Sequence, residues 1–89
     1  MTVAQRTHHP YIVVRNHIQG GEPTIRGTRV AVRSVVQYIL RQGMAPEALI
    51  KEFPQLSLAA LYDALSFYYD HRPLVDKLLR EQTEGAWRR

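Results

Sequence analysis

The sequence predicts a mainly α-helical domain with a small β element at its N-terminal end: a trihelical, helix-turn-helix or winged-helix-like bundle followed by one C-terminal helix. Three observations predict it. The spacing of apolar residues changes from a β-branched run near residue 12 to a 3.6-residue period from Val32 onward. Gly43, Pro46, Pro54, Ser57 and Pro73 then punctuate that period into four helices. With 89 residues, of which 45% are hydrophobic, the chain builds one thin core, burying roughly 60–65% of its unfolded surface.

The elements follow in order. Residues 1–10 are polar, end in Pro10 and read as a flexible N-terminus. Residues 11–72 form the β element and trihelical domain, and 73–89 the C-terminal helix and tail. Tyr11 to Arg15 is a short strand, Asn16-His17 a turn, and Ile18-Gln19 a brief continuation of the sheet. Gly20-Gly21-Glu22-Pro23 breaks the chain, placing two flexible residues before a fixed φ. Thr24 to Arg26 and Thr28 to Val30 are β-prone pieces around Gly27, which bends the chain or holds positive φ.

Val32, Val35, Val36, Ile39 and Leu40 then make one apolar helical face, ended by Gly43 in the left-handed position beyond the helix. Pro46 opens a second helix with Leu49, Ile50 and Phe53 inward, and Pro54 stops it. Ser57 caps a third, whose stripe is Leu58, Leu61, Tyr62, Leu65, Tyr68 and Tyr69. Pro73 starts a fourth with the stripe Leu74, Val75, Leu78 and Leu79, and Gly85 to Arg89, including Trp87, is a frayed tail.

Composition removes several function classes. There is no cysteine, so disulfides, thiolate zinc sites and thiol nucleophiles are excluded. The longest apolar run, Leu58 to Tyr62, is far short of the ~20 residues of a membrane span. Residues 1–10 hold no apolar stretch of the kind a secretory leader needs, so a cytoplasmic protein without membrane partners is expected. The net charge of +4 is unevenly spread: residues 1–46 carry six arginines against Glu22 alone, while residues 47–82 carry four basic and six acidic side chains. An arginine-rich front half points to an anionic partner, because guanidinium groups pair with phosphate or carboxylate in a fork.

Two constellations bear on that partner. In the first, Arg26, Thr28, Arg29 and Arg33 cluster around Gly27. They suit a grip on phosphates or on a partner's carboxylates, and equally a structural turn that fixes the sheet to the first helix. Phosphate-loop spacing is absent. In the second, the helices on either side of Pro54 have helix-turn-helix layout, which makes the third helix the groove reader. Its expected exposed residues, Ala59, Ala60, Asp63, Ser66 and Asp70, include no Arg, Lys, Asn or Gln to pair with base edges, and two carboxylates that would face phosphates.

Catalysis is not expected. His8, His9, His17 and His71 have no ligand spacing and read as surface histidines. Asp63 and Asp70 share a helical face as solvated charges, Tyr68 and Tyr69 fit core packing, and no serine sits in a nucleophile elbow. No cofactor or metal is implied.

The string Gly20-Gly21-x-Pro23-x-Ile25-x-Gly27-Thr28-Arg29-Val30-x-Val32, with Gly43-Met44-x-Pro46-Glu47 and Pro54-x-Leu56-Ser57 behind it, resembles the bacterial and archaeal family called domain of unknown function 433. The resemblance covers about residues 8–72. It implies a small winged-helix-like protein acting as an antitoxin beside a PIN-like nuclease. Two positions depart from the pattern: Ala31 stands where family members often carry Pro, and Ala45 where Ser or Thr usually caps the second helix. The expectation is thus a homodimeric antitoxin-like regulator that binds a PIN-like toxin and operator DNA. The alternative is a protein–protein module that binds no nucleic acid. Leu74, Val75, Leu78 and Leu79 are the candidate toxin-binding stripe, or else pack back on their own core or a dimer mate.

Overall fold

Residues 5–6, 8–14 and 21–87 are described by the computed structural model, with side chains for 8–14 and 21–81. In chain order the elements are β1 (Gln5–Arg6), β2 (Ile12–Val14), β3 (Pro23–Ile25), α1 (Val32–Val36), a π-helical segment (Gln37–Arg41), α2 (Pro46–Glu52), α3 (Leu58–Asp70) and α4 (Arg72–Trp87). The fold is mainly helical with a small N-terminal sheet, as the sequence predicts.

Val32, Val35 and Val36, at helical spacing, are at most 1% exposed and form the centre of the core. Their helix, α1, packs against α3, α4 and β3, so five residues organise most of the molecule. Ile12 and Ile25 close the core from the sheet, Leu49, Leu61, Phe67, Val75 and Leu79 from the helices, and Leu56 from the turn between α2 and α3.

The sheet is antiparallel in the order β1-β2-β3, with Ile12 opposite Ile25 and Val14 opposite Pro23. The expected strand from Tyr11 to Arg15 is shorter, and Arg15 to Gly20, including the turn at Asn16-His17 and the continuation at Ile18-Gln19, lies outside the described residues. Thr28 to Val30 is not a strand: beyond the turn at Gly27 the pairing reduces to one bridge between Thr24 and Ala31. Part of the segment read as flexible is placed, since Gln5–Arg6 pairs with β2 and His9 is buried.

The first helix forms where the valine spacing puts it, but its second half widens. The Gln42 N–H reaches the Gln37 carbonyl at 3.0 Å, a five-residue span. Widening advances the helical phase by one residue, and Leu40, expected in the buried stripe, is 42% exposed. Gly43 follows at φ +76°, in the left-handed region that the sequence assigns it.

The helix-turn-helix element is as expected. Pro46 opens α2 behind Ala45, which offers no side-chain cap, and the Ser57 hydroxyl accepts from the Ala60 N–H at 3.1 Å to cap α3. The inward face of α3 is different from the expected one. Ala60, Leu61, Ala64, Phe67 and Tyr68 are buried, whereas Leu58, Tyr62 and Tyr69 are 39%, 54% and 58% exposed. α1 packs against α3, and the two small alanines belong to the face that is buried. Ala60 is therefore core rather than surface, and Tyr69 is surface rather than core. His71 is the single residue between α3 and α4, and α4 continues to Trp87, past the expected fraying at Gly85.

Candidate functional site

The turn around Gly27 is built by the residues that the sequence singles out. The Thr28 N–H donates to the Ile25 carbonyl at 3.0 Å, and Gly27, at the third position, has φ +79°, as a type II turn requires. The Thr28 hydroxyl donates to the same carbonyl at 2.8 Å and accepts from the Val30 N–H at 3.0 Å. The Thr28 hydroxyl thus both donates and accepts within the turn. The Gly-Thr pair sets backbone geometry.

The arginines around this turn separate. Arg26 and Arg29 are exposed. The Arg26 guanidinium lies over the Tyr11 ring, 5.8 Å from its centroid. Arg33 turns inward: its Nε donates to both carboxylate oxygens of Glu22, at 3.0 and 2.9 Å. The Glu22 side chain is 6% exposed and that of Arg33 19%. A carboxylate this deeply buried needs a partner charge, so Arg33 ties the segment before β3 to α1. Arg33, not Arg29, is the arginine that pairs with Glu22.

A second cluster escaped the sequence reading. His9 is 7% exposed, not a surface histidine. Its Nδ1 lies 3.3 Å from the Asp63 carboxylate and its Nε2 2.9 Å from that of Asp70. Asp63 also accepts from the Tyr11 N–H at 2.8 Å, and the His9 ring meets Phe67 edge-on at 5.4 Å. The two aspartates do share a helical face, but they receive the N-terminal segment instead of solvating α3. They hold opposite nitrogens of one ring, and no three His, Asp or Glu side chains among the described residues converge as metal ligands. The spacing of Asp63 and Asp70 was visible in the sequence; nothing local marked His9 as their partner.

On α4, Val75 and Leu79 are 0% and 3% exposed within the chain's own core, Leu78 is half-buried and Leu74 is 45% exposed. Half of the candidate toxin-binding stripe is therefore unavailable to a partner. Tyr68 fastens the helix further, its hydroxyl donating to Asp76 at 2.9 Å.

Between α1 and α2 a cleft of about 200 Å³ reaches down to Val35, Leu49 and Leu56, with Tyr38 and Phe53 as walls. Arg29 and Ser34 stand at its edge. No polar side-chain atom buried among the described residues lacks a hydrogen-bond partner.

The architecture defines the class: a small trihelical, helix-turn-helix-like domain with an N-terminal antiparallel sheet and one added C-terminal helix. Within that class the chain belongs to the family described as Protein of unknown function (DUF433), whose sequence pattern matches residues 12–68. It is similar to a DUF433 member protein from Anabaena variabilis, known from a crystal structure. The two are 27% identical, with a TM-score of 0.74 over 79% of this chain and 68% of that one. No curated protein matches the sequence. His9, Asp70 and the buried residues of α4 fall outside the family match.

Proposed function

We propose that the protein is an antitoxin-like regulator that acts by binding a partner protein, a nuclease of the PIN-like class, in the cytoplasm. The observation that supports protein binding is the outward face of α3. Leu58, Tyr62 and Tyr69 are exposed on it in a row, and the helix contains no Arg, Lys, Asn, Gln or His. Exposed tyrosines suit a protein interface, where aromatic side chains supply much of the affinity. Arg, Lys, Asn and Gln, whose cationic or amide groups make the commonest base-edge pairs, are absent from this helix. The nuclease identity comes from the family resemblance. The role is one of binding rather than catalysis, and a two-fold dimer would cover part of the remaining apolar surface.

Operator DNA is a second reading, favoured by the exposure of Arg26 and Arg29 on one tight turn. Such contacts address phosphates and carry no base information.

Co-expression with a PIN-like nuclease encoded beside the gene tests the first reading. The expected result is a co-purifying complex with the nuclease suppressed, and a Tyr62→Ala/Tyr69→Ala double variant that loses about a hundredfold in affinity while keeping its fold. No complex and no suppression would overturn it. Salt-dependent gel shifts test the second: Arg26→Ala should flatten the salt slope by about one per protomer, and Arg33→Ala, once corrected for folding, should not.

A further inference from the structure

The outward face of α3 is ordered as well as apolar. Leu58, Tyr62, Leu65 and Tyr69 follow one another at intervals of four, three and four residues. On a helix this spacing draws one narrow apolar stripe, about 17 Å long at ~1.5 Å per residue, of the kind that forms the seam between two paired helices. Leu58, Tyr62 and Tyr69 are exposed and Leu65 is half-buried, so the stripe lies apart from the face that α3 gives to its own core. Of the exposed large apolar side chains among the described residues, only Leu40 and Leu74 stand elsewhere. Ala59 and Ser66, both exposed, run along one side of the stripe, where small side chains let a second helix come close.

The order of residues along the stripe selects its partner. It reads Leu, Tyr, Leu, Tyr. A second copy laid antiparallel across a two-fold axis sets Leu58 against the copy's Tyr69 and Tyr62 against the copy's Leu65, so every layer holds one leucine and one tyrosine. A parallel copy would stack tyrosine on tyrosine and leucine on leucine, and layers of unequal width pack poorly. The charges select the same arrangement. Lys51 and Glu52 end α2 ahead of the stripe, Asp70 and Arg72 follow it, and all four are exposed. Asp70 keeps 64% of its side chain exposed while it holds His9. Each end of the stripe thus bears one cation and one anion. The antiparallel copy brings Lys51 to the end that carries Asp70 and Glu52 to the end that carries Arg72, and it opposes the two helix dipoles. A parallel copy brings each charge to its own like.

We propose that α3 pairs with α3 of a second copy of this chain, antiparallel about a two-fold axis, each leucine of the stripe packed against a tyrosine of the copy. The face is the one assigned above to the nuclease, so a nuclease that takes it must displace the copy. That consequence rests on the proposed function; the pairing itself does not. Four layers make a small interface, and the pairing is correspondingly weak and exchangeable, with a Kd on the order of 10–100 µM.

The test is sedimentation velocity of the full chain from about 5 to 500 µM, a range that brackets that Kd. The expected result is a reversible monomer–dimer equilibrium. Tyr62→Lys, in the middle of the stripe, should weaken it at least about a hundredfold and leave the circular dichroism spectrum unchanged. The register is read at two exposed end positions. Leu58→Glu and Tyr69→Lys, whose charges suit the helix ends they occupy, should each weaken self-association about thirtyfold, and their equimolar mixture should return to within about fivefold of the parent. Leu58→Glu mixed with Tyr62→Lys should not recover, because those positions lie two layers apart. A monomer throughout the concentration range would overturn the proposal. So would an undiminished dimer in Tyr62→Lys, which would place the contact on another face. A Leu58→Glu and Tyr69→Lys mixture no tighter than either variant alone would exclude the antiparallel register. Failure of the nuclease to co-purify would leave these results untouched, whereas a nuclease complex that still holds the paired α3 helices would overturn the displacement alone.

Discussion

The turn from Glu22 to Arg33 and the helix α4 offer two candidate contact surfaces, and the fold divides each by a different rule. In α4 the division is geometric. Leu74 and Leu78 lie on one side, Val75 and Leu79 one residue further round, and only the second pair reaches the core. In the turn the division follows hydrogen-bonding demand. Glu22 is buried and takes Arg33, the Gly27 turn takes Thr28, and Arg26 and Arg29 remain outside. An apolar helical stripe therefore says that burial occurs without saying against whom. A cluster of like charges must be sorted by asking which member answers a buried opposite charge.

The comparison is sharpest when the two regions are cut back. Truncation after Arg72 removes Val75 and Leu79 from the core and should abolish cooperative unfolding; a folded truncate by circular dichroism and thermal melting would mean that α4 is an attachment. Leu79→Ala should cost about 2–4 kcal/mol, measured by urea denaturation, because a buried leucine leaves a cavity. Leu74→Ala, one turn away and exposed, should change stability by no more than about 0.5 kcal/mol. In the turn, Glu22→Ala should cost about 2 kcal/mol, discounted from the 3–5 of a fully buried pair because Arg33 retains some solvent contact. Arg26→Ala should lie within about 0.5 kcal/mol of the parent. If Arg26 and Arg33 proved equally costly, the sorting by buried charge would be wrong. The smallest effect is a gain: Ala45→Ser supplies the missing cap of α2 and should add about 0.5–1 kcal/mol.

Much of this was legible in the sequence. Val32, Val35 and Val36 announced α1 by spacing alone, Gly43 and Ser57 marked the helix ends they occupy, and Gly27 holds the positive φ expected of it. The face of α3 was misread because the tyrosines follow helical spacing as well as the alanines do, and only the approach of α1 decides which side is buried. The widening at Gln37–Arg41 left no local signature, so Leu40 was placed inward. The pairing of His9 with Asp63 and Asp70 was illegible for a different reason: it joins residues more than fifty positions apart, and no pattern within a window reports such a meeting. The cleft likewise exists only once α1 and α2 are side by side.

The meeting of His9 with Asp63 spans 54 residues, and that separation has a kinetic side. Docking the first strands onto α3 closes a longer loop than the α1 to α3 contacts at the centre of the core. The N-terminal segment should therefore be the last part to lock and the first to release. The Tyr11 amide, which donates to Asp63 at 2.8 Å, reports directly on that release. In native-state hydrogen exchange it should open with a free energy well below that of the Val35 amide in the core, and Asp63→Asn should lower it further while leaving Val35 nearly unchanged.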